Sequence, residues 1–240
     1  MFHGCTNINS LSVAFTSWDE FNCTADWVVD VQTTSGTFYK PIALSEEFGR
    51  SRIPENWTVV NTDVPPVDYT PLTFTALENN SSIRLYEEHG DGPSAEAITL
   101  DYKVNNGSWS SYTVGDTIYV NANDTVAFSG TNDHFSNGYG DEGGRYKFNL
   151  EGTFNLSGNM MSLMNYDYTC TSWCFNGMFE GAPIADASNL NLGAIVLADW
   201  CYMGMFQSCS LSAAPQMPGI QLKTHCYDGT FRFCGNLISA

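Results

Sequence analysis

Three short segments of this sequence share one pattern: Cys174-Phe-Asn-Gly-Met-Phe179, Cys201-Tyr-Met-Gly-Met-Phe206 and Cys226-Tyr-Asp-Gly-Thr-Phe231. Their leading cysteines are 27 and then 25 residues apart, and the eighth residue after each is Ala182, Cys209 or Cys234. A period in the mid-twenties is typical of a solenoid in which each repeat forms one coil. The pattern therefore predicts stacked coils over the C-terminal part of the chain.

Equivalent positions of stacked coils form ladders along the inside of a solenoid. An aromatic ladder is expected at Phe179, Phe206 and Phe231. Cysteine ladders are expected at Cys174, Cys201 and Cys226, and at Cys209 and Cys234. Cysteine suits such positions because an unpaired thiol behaves as a small hydrophobic group.

The eight cysteines leave three interpretations open. Buried thiols come first, since Ala182 replaces cysteine in one repeat and the position therefore needs a small group rather than a ligand. One or two disulfides come second. Metal comes third, because zinc sites need convergent ligands at short spacings. Cys23 and Cys170 lie outside the ladders and fit none of these interpretations better than the others.

The stretch from Cys201 to Pro218, which ends Leu211-Ser-Ala-Ala-Pro-Gln-Met-Pro218, resembles the BspA-like leucine-rich repeats of gut-associated bacteria and their phages. Residues 1–61 are similar to the closing part of such an array and its cap. They begin Met1-Phe-His-Gly-Cys5, with the spacing of Met205-Phe-Gln-Ser-Cys209. The resemblance implies a scaffold for adhesion or ligand recognition.

The middle of the chain has a different pattern. Residues 62–71, Thr-Asp-Val-Pro-Pro-Val-Asp-Tyr-Thr-Pro, indicate a linker because paired prolines stop strands and helices. Residues 72–157 contain six or seven short alternating segments, with a hairpin turn at Asn105-Asn-Gly107. They predict an Ig-like β-sandwich. The expected fold is mainly β with short helices: repeat segments at 1–61 and 158–240 flank the sandwich.

Two groups in the middle region are candidates for ligand binding. Trp109 and Tyr112 follow the hairpin and are a candidate platform for stacking a sugar, although packing in the core is the favoured role. Asp133, Asn137, Asp141 and Glu142 lie in one polar loop and are candidate Ca²⁺ ligands. Their spacing is not that of an EF-hand, and a solvated loop is the commoner explanation.

Charge and motif content exclude several functions. With 26 acidic and 9 basic residues, the formal charge is −17, which disfavours nucleic acid because phosphate binding depends on Lys and Arg. No apolar run has the length of a membrane span, so membrane insertion is not expected. The four histidines lie outside known catalytic signatures, and His225 occupies the repeat position of Trp173 and Trp200. We therefore expect no enzymatic activity.

The leading hypothesis is a recognition protein at a cell surface, on a virion or in the extracellular space. Its partner would be a host-surface protein or glycan, bound through the repeats and the sandwich, and its source a bacterial surface or a phage tail. One alternative is a structural subunit that assembles head-to-tail through open solenoid ends. Another is a carbohydrate-binding module of a larger enzyme. Residues 1–14 lack a signal-peptide pattern. We expect the chain to be a segment of a longer protein.

Overall fold

The computed structural model describes residues 2, 5–19, 23–29, 31, 34–62, 70–89, 92–138, 143–219 and 221–239. These residues are mainly β, with a single-turn 3-10 helix at Met160–Leu163. The strands are β1 (Ser10–Ser12), β2 (Thr37–Pro41), β3 (Thr58–Thr62), β4 (Leu72–Ala76), β5 (Ser81–Glu88), β6 (Leu100–Val104), β7 (Ser110–Tyr112), β8 (Thr117–Val120), β9 (Thr125–Gly130), β10 (Arg145–Glu151), β11 (Phe154–Asn159) and β12 (Ile184–Asn191).

The middle of the chain forms two sheets that pack face to face. One has the strand order β12-β11-β4-β9-β6-β7 and the other β10-β5-β8. Alternation along β4 buries Leu72, Phe74 and Ala76 on one face, as expected for a strand with one side toward a core. The ring of Phe74 lies 4.8 Å, centroid to centroid, from that of Phe148 on the opposite sheet.

The two sheets agree with the predicted sandwich, but the strand order differs from that of an immunoglobulin domain in the strict sense. An immunoglobulin domain keeps its first two strands in one sheet, whereas β4 and β5 lie in different sheets. The turn between them contains Asn80 at a φ of 58°. Its sequence resembles that of a hairpin turn, because asparagine is favoured in hairpin turns and in turns between strands of different sheets. The hairpin predicted at Asn105-Asn-Gly107 is confirmed, since it joins the antiparallel pair β6 and β7.

Three repeat turns, residues 174–182, 201–209 and 226–234, stack on one another and on the sandwich. Their equivalent phenylalanine rings form a nearly parallel column that starts at Phe148 of β10. The centroids are 5.5 Å apart from Phe148 to Phe179, 5.1 Å from Phe179 to Phe206 and 5.7 Å from Phe206 to Phe231. The sequence pattern predicted a ladder at the last three of these positions. We call the column the phenylalanine ladder.

Two further columns run beside it. Phe135, Phe175, Tyr202 and Tyr227 stack at 5.4 to 5.6 Å. Trp173 stacks on Trp200 at 4.8 Å, and His225 follows at 6.0 Å with its ring nearly parallel to the indole. His225 therefore fills the tryptophan position of its repeat. In all three columns, each inner ring is covered on both faces by its neighbours in the column.

Glycine at the fourth position of each repeat segment has a conformational cause. Gly177, Gly204 and Gly229 have φ values of 58°, 61° and 60°, in the left-handed region that glycine adopts without a steric penalty. Gly177 then donates its N–H to the carbonyl of Met203 in the next turn, at 2.9 Å. The glycine of the sequence pattern is therefore the residue at which each repeat turn bends.

The N-terminal segment continues the same stack within one chain. Phe2 stacks on Phe231 with centroids 5.3 Å apart and planes 3° apart, so it is the next ring of the phenylalanine ladder. The thiol of Cys5 donates to the carbonyl of Phe231 at 3.2 Å. We call the contact of residues 2–28 with residues 226–239 the seam. The two incomplete arrays predicted from the sequence meet there.

A disulfide also closes the seam. Cys23 is bonded to Cys226 across a sequence separation of 203 residues, while the other six cysteines are unpaired and buried. At Cys226 the preferred interpretation of a buried thiol therefore gives way to the second one, a disulfide. The repeat pattern could not indicate this pair, because Cys23 belongs to no repeat and reaches Cys226 only through the docking of the two chain ends.

Parallel strand pairing runs along another side of the stack. β12 pairs with β11 of the sandwich, and Ala187 donates its N–H to the carbonyl of Ala213. Ala213 in turn bridges to Ser239, and Asn9 donates to the carbonyl of Ile238. β1, β2 and β3 then pair in parallel. Backbone pairing therefore extends from the sandwich across the seam to β3.

This pairing bears on the domain limits expected from the sequence. The limit between residues 157 and 158 lies inside β11, which covers Phe154–Asn159. β12, which belongs to the C-terminal part, is an edge strand of the sandwich sheet. Most of the linker at 62–71 lies outside the described residues. Among those described, Thr62 ends β3, and Pro71 bridges to Asn159.

Replacing a ring in the middle of the phenylalanine ladder should destabilise the whole fold. Phe206→Ala removes a fully buried ring that contacts rings on both sides, and we expect a loss of about 3–5 kcal/mol in the free energy of unfolding. Urea denaturation followed by circular dichroism measures this. Phe233→Ala is the matched control: its ring is 59% exposed, so the change should be about 1 kcal/mol or less. Equal losses in both variants would contradict the ladder.

Removing the seam disulfide should lower stability without abolishing the fold. The double substitution Cys23→Ser with Cys226→Ser should reduce the free energy of unfolding by about 2–4 kcal/mol, because the unfolded chain is no longer cross-linked. Reductant should destabilise the original chain to a similar degree and leave the double variant unchanged. Thiol titration of the denatured, unreduced chain should count six free thiols; a count of eight would rule the bond out.

Candidate functional site

A cleft opens over the seam, on the outer face of the parallel strands. Its volume is about 350 Å³, within the range of small-molecule sites. The hydroxyl-bearing residues in its lining are Ser10, Ser12, Tyr39, Thr62, Ser188 and Ser239, and Gln216 adds an amide. Apolar walls come mainly from Pro41, Pro215, Met217 and Pro218. We refer to it as the seam cleft.

Strand alternation places the polar side chains in this cleft. On β1, Leu11 is fully buried against the core, whereas Ser10 and Ser12 on either side of it face outward. β2 is in register, since Ser12 is opposite Tyr39 and Leu11 is opposite the buried Phe38. Neighbouring strands are about 4.8 Å apart. The cleft floor therefore presents hydroxyl groups at regular intervals across the strands.

The seam cleft is a composite of the two ends of the chain. Residues 10, 12–14, 39, 41 and 62 contribute one part, and residues 188, 214–218 and 239 contribute the other. Neither part encloses the cleft alone. Its shape therefore depends on the contacts that dock the N-terminal segment on the last repeat turn.

The described lining of the cleft is uncharged. Of the fourteen residues that line it within the described part of the chain, none carries a charge, although the whole chain has a formal charge of −17. None of them is a histidine, a cysteine or a carboxylate either, so this lining lacks the usual groups for general acid–base catalysis. Its chemistry is that of hydroxyl and amide hydrogen bonding.

The main buried ionic cluster lies elsewhere and is structural. Arg145 of β10 donates to the carboxylates of Glu88, at 2.5 Å, and Glu180, at 2.7 Å. Partial burial opposes ionisation of Glu88, but the hydrogen bonds from Arg145 outweigh it and hold the pKa of Glu88 below its usual value. Because Glu180 belongs to the first repeat turn, the cluster ties that turn to the sandwich.

The two residues of the predicted aromatic platform lie in different environments. Tyr112 is only 8% exposed, its ring packs on Tyr102 and Phe128, and its hydroxyl donates to the carbonyl of Asp116 at 2.6 Å. Trp109 is 43% exposed and lies under the ammonium of Lys103. Tyr112 thus has the core-packing role that the sequence favoured, and Trp109 alone presents a ring to solvent.

Two of the four candidate calcium ligands, Asp141 and Glu142, lie outside the described residues. Asn137 donates to the carbonyl of Ser94 at 3.0 Å, and its side-chain oxygen lies 3.1 Å from the imidazole of His134. The described residues contain no group of three or more His, Cys, Asp or Glu side chains able to hold a metal ion. Calcium binding by the loop that contains Asp133 stays a prediction.

The ladder thiols have a role that the sequence did not reveal. Cys209 donates its S–H to the carbonyl of Phe179 at 3.0 Å, and Cys234 donates to that of Phe206 at 3.0 Å. Each thiol thus bonds to the carbonyl of the ladder phenylalanine one turn earlier, as Cys5 does across the seam. Ala182 takes this position in the first turn, whose phenylalanine, Phe179, stacks on Phe148 of strand β10.

Burial also makes these thiols unreactive. It raises the pKa of Cys5 to about 11 and that of Cys209 to about 12, and it raises the pKa of Cys234 as well. A thiolate is the reactive form of cysteine. Burial therefore holds Cys5, Cys209 and Cys234 as neutral thiols.

Sequence reasoning missed the seam cleft, although one signal for it was present. The Ala-Pro-x-x-Pro end of the repeat, Ala214 to Pro218, forms a wall of the cleft. The hydroxyl residues of β1 and β2 gave no signal, because serine and threonine are frequent throughout the chain. Their convergence depends on docking of segments almost 200 residues apart.

No protein-family model, curated protein or solved structure matches this chain. Within its described residues, no helix has both the length and the apolar character needed to cross a membrane.

The raised thiol pKa values predict alkaline sensitivity. A thiol with a folded pKa near 12 and an ordinary value of 9 favours the folded state below pH 9, and this contribution is lost as the pH rises toward 12. The free energy of unfolding should therefore fall between pH 9 and pH 11 in denaturation curves. Cys209→Ala removes one such group and should make the decline shallower. Parallel curves for the two proteins would contradict the burial of a neutral thiol.

Proposed function

We propose that this chain is a non-catalytic recognition protein and that the seam cleft is its ligand-binding site. The N-terminal segment and the C-terminal repeat turns then form one repeat solenoid of the BspA-like type, which rests on the sandwich. The observation that carries the proposal is the composite, uncharged cleft on the outer face of the parallel strands. Repeat proteins commonly bind ligands on such continuous surfaces.

The chemistry of the lining supports binding rather than turnover. Hydroxyl and amide groups orient a ligand by hydrogen bonds, and the proline-rich walls bury its apolar parts. A host-surface protein or a glycan is the partner of this proposal. The sandwich serves as a rigid support, because the phenylalanine ladder and the Arg145 cluster attach the first repeat turn to it.

The proposed location is outside the cell, at a cell surface or on a virion. The Cys23–Cys226 disulfide supports it, since such bonds persist mainly in oxidising compartments. Bacterial surfaces and phage tails are both compatible with this placement.

Head-to-tail assembly remains the structural alternative, but its contacts differ from those expected. The last repeat turn and the N-terminal segment, which were expected to pair between subunits, pair here within one chain. A filament would require the seam to form between neighbouring chains instead. We therefore favour the recognition function.

Filling the cleft tests the proposal. Binding of the labelled protein to arrays of glycans and peptides should disappear with Ser12→Trp, because Ser12 is exposed and the indole would occupy the cleft. Ser110→Trp is the matched control, since Ser110 is an exposed strand serine in the sandwich and should leave binding unchanged. Binding that survives Ser12→Trp, or hydrolysis of a bound glycan, would contradict the proposal.

A further inference from the structure

We infer that the seam cleft takes a neutral glycan, laid across the parallel strands. This inference rests on the proposed function and names the class of ligand. It follows from three features of the cleft: the absence of charge in its described lining, the backbone pairing of the central floor strand, and the combination of hydroxyl rows with apolar walls.

The absence of charge excludes the common charged ligands. An anionic ligand would find no Lys or Arg in the described lining and would enter the field of a strongly acidic protein. A cationic peptide would find no carboxylate to pair with, although carboxylates are abundant elsewhere on the chain. The charged residues therefore lie outside the described lining, and the cleft favours a neutral molecule.

The pairing of the floor disfavours an extended peptide. Peptides that lie along strands bind mainly by adding a strand to an unpaired sheet edge. The central strand of this floor, β2, pairs with β1 on one side and with β3 on the other, and Asn9, which precedes β1, donates to the carbonyl of Ile238. The backbone groups of β2 are therefore used within the sheet, whereas β3 is an outer strand. A ligand laid over β2 is therefore recognised through side chains.

The side chains that remain match the surface of a sugar. Sugars combine hydroxyl groups at their rims with apolar C–H faces. Ser10, Ser12 and Ser239 offer hydroxyls from neighbouring strands, and Tyr39 adds a ring with a polar tip. Pro215 and the other apolar wall residues provide surface for the C–H faces. Because the hydroxyls repeat across strands, a chain of sugars can use several of them at once.

Titration calorimetry with neutral oligosaccharides, namely fragments of mannan, xylan, galactan and β-glucan, tests the inference. We expect at least one of them to bind, with an affinity that is the same at low and high salt. The double substitution Ser10→Ala with Ser12→Ala should weaken that binding about tenfold, since two hydrogen-bonding groups are lost. Ser110→Ala with Ser111→Ala, on strand β7, is the matched control and should leave the affinity unchanged.

The outcomes separate the inference from the proposed function. Binding only of acidic glycans or of peptides, lost with Ser12→Trp, would overturn the neutral-glycan assignment and leave the cleft as a recognition site. Binding of neutral glycans that is insensitive to Ser12→Trp would overturn both. Absence of binding by every neutral fragment would overturn the neutral-glycan assignment. As a control for folding, each variant should have a melting temperature equal to that of its matched control variant.

Discussion

The stacking of each repeat turn on the next is the interaction on which the rest of this structure depends. No single turn can bury its own rings, because a turn of about nine residues has no interior. Phe179 is covered on one side by Phe148 of the sandwich and on the other by Phe206. The sandwich thus supplies the first surface of the column, and every later turn supplies the surface for its successor.

This constraint explains why the two ends of the chain meet. The last repeat turn would expose Phe231 and the backbone groups around it unless another layer covered them. Phe2, Cys5 and the strands from β1 to β3 form that layer. The disulfide then fixes covalently a contact that packing and hydrogen bonding already make. One column of stacked rings is thereby built from two segments that are separated in sequence by the whole sandwich.

The site follows from the same geometry. Parallel strands from successive layers must point alternate side chains outward, and on the N-terminal strands these side chains are mostly small and hydroxylated. The described acidic residues lie outside the lining of the cleft, and some pair with the few cations, as Glu88 and Glu180 do with Arg145. The neutral cleft is therefore a local property that the net charge of the chain does not describe.

The sequence by itself determined the repeat positions, since the ring, glycine and cysteine of each turn recur at a fixed spacing that packing and the left-handed bend require. It also determined the hairpin at Asn105-Asn-Gly107 and the alternating strands of the sandwich. Only the tertiary structure decided that Cys23 bonds to Cys226, that β4 and β5 lie in different sheets, and that Ser12 and Ser239 line one cleft. A local sequence pattern reflects contacts between residues that are close to one another in the chain. Contacts between segments some 200 residues apart arise from the docking of whole layers, for which no local spacing exists.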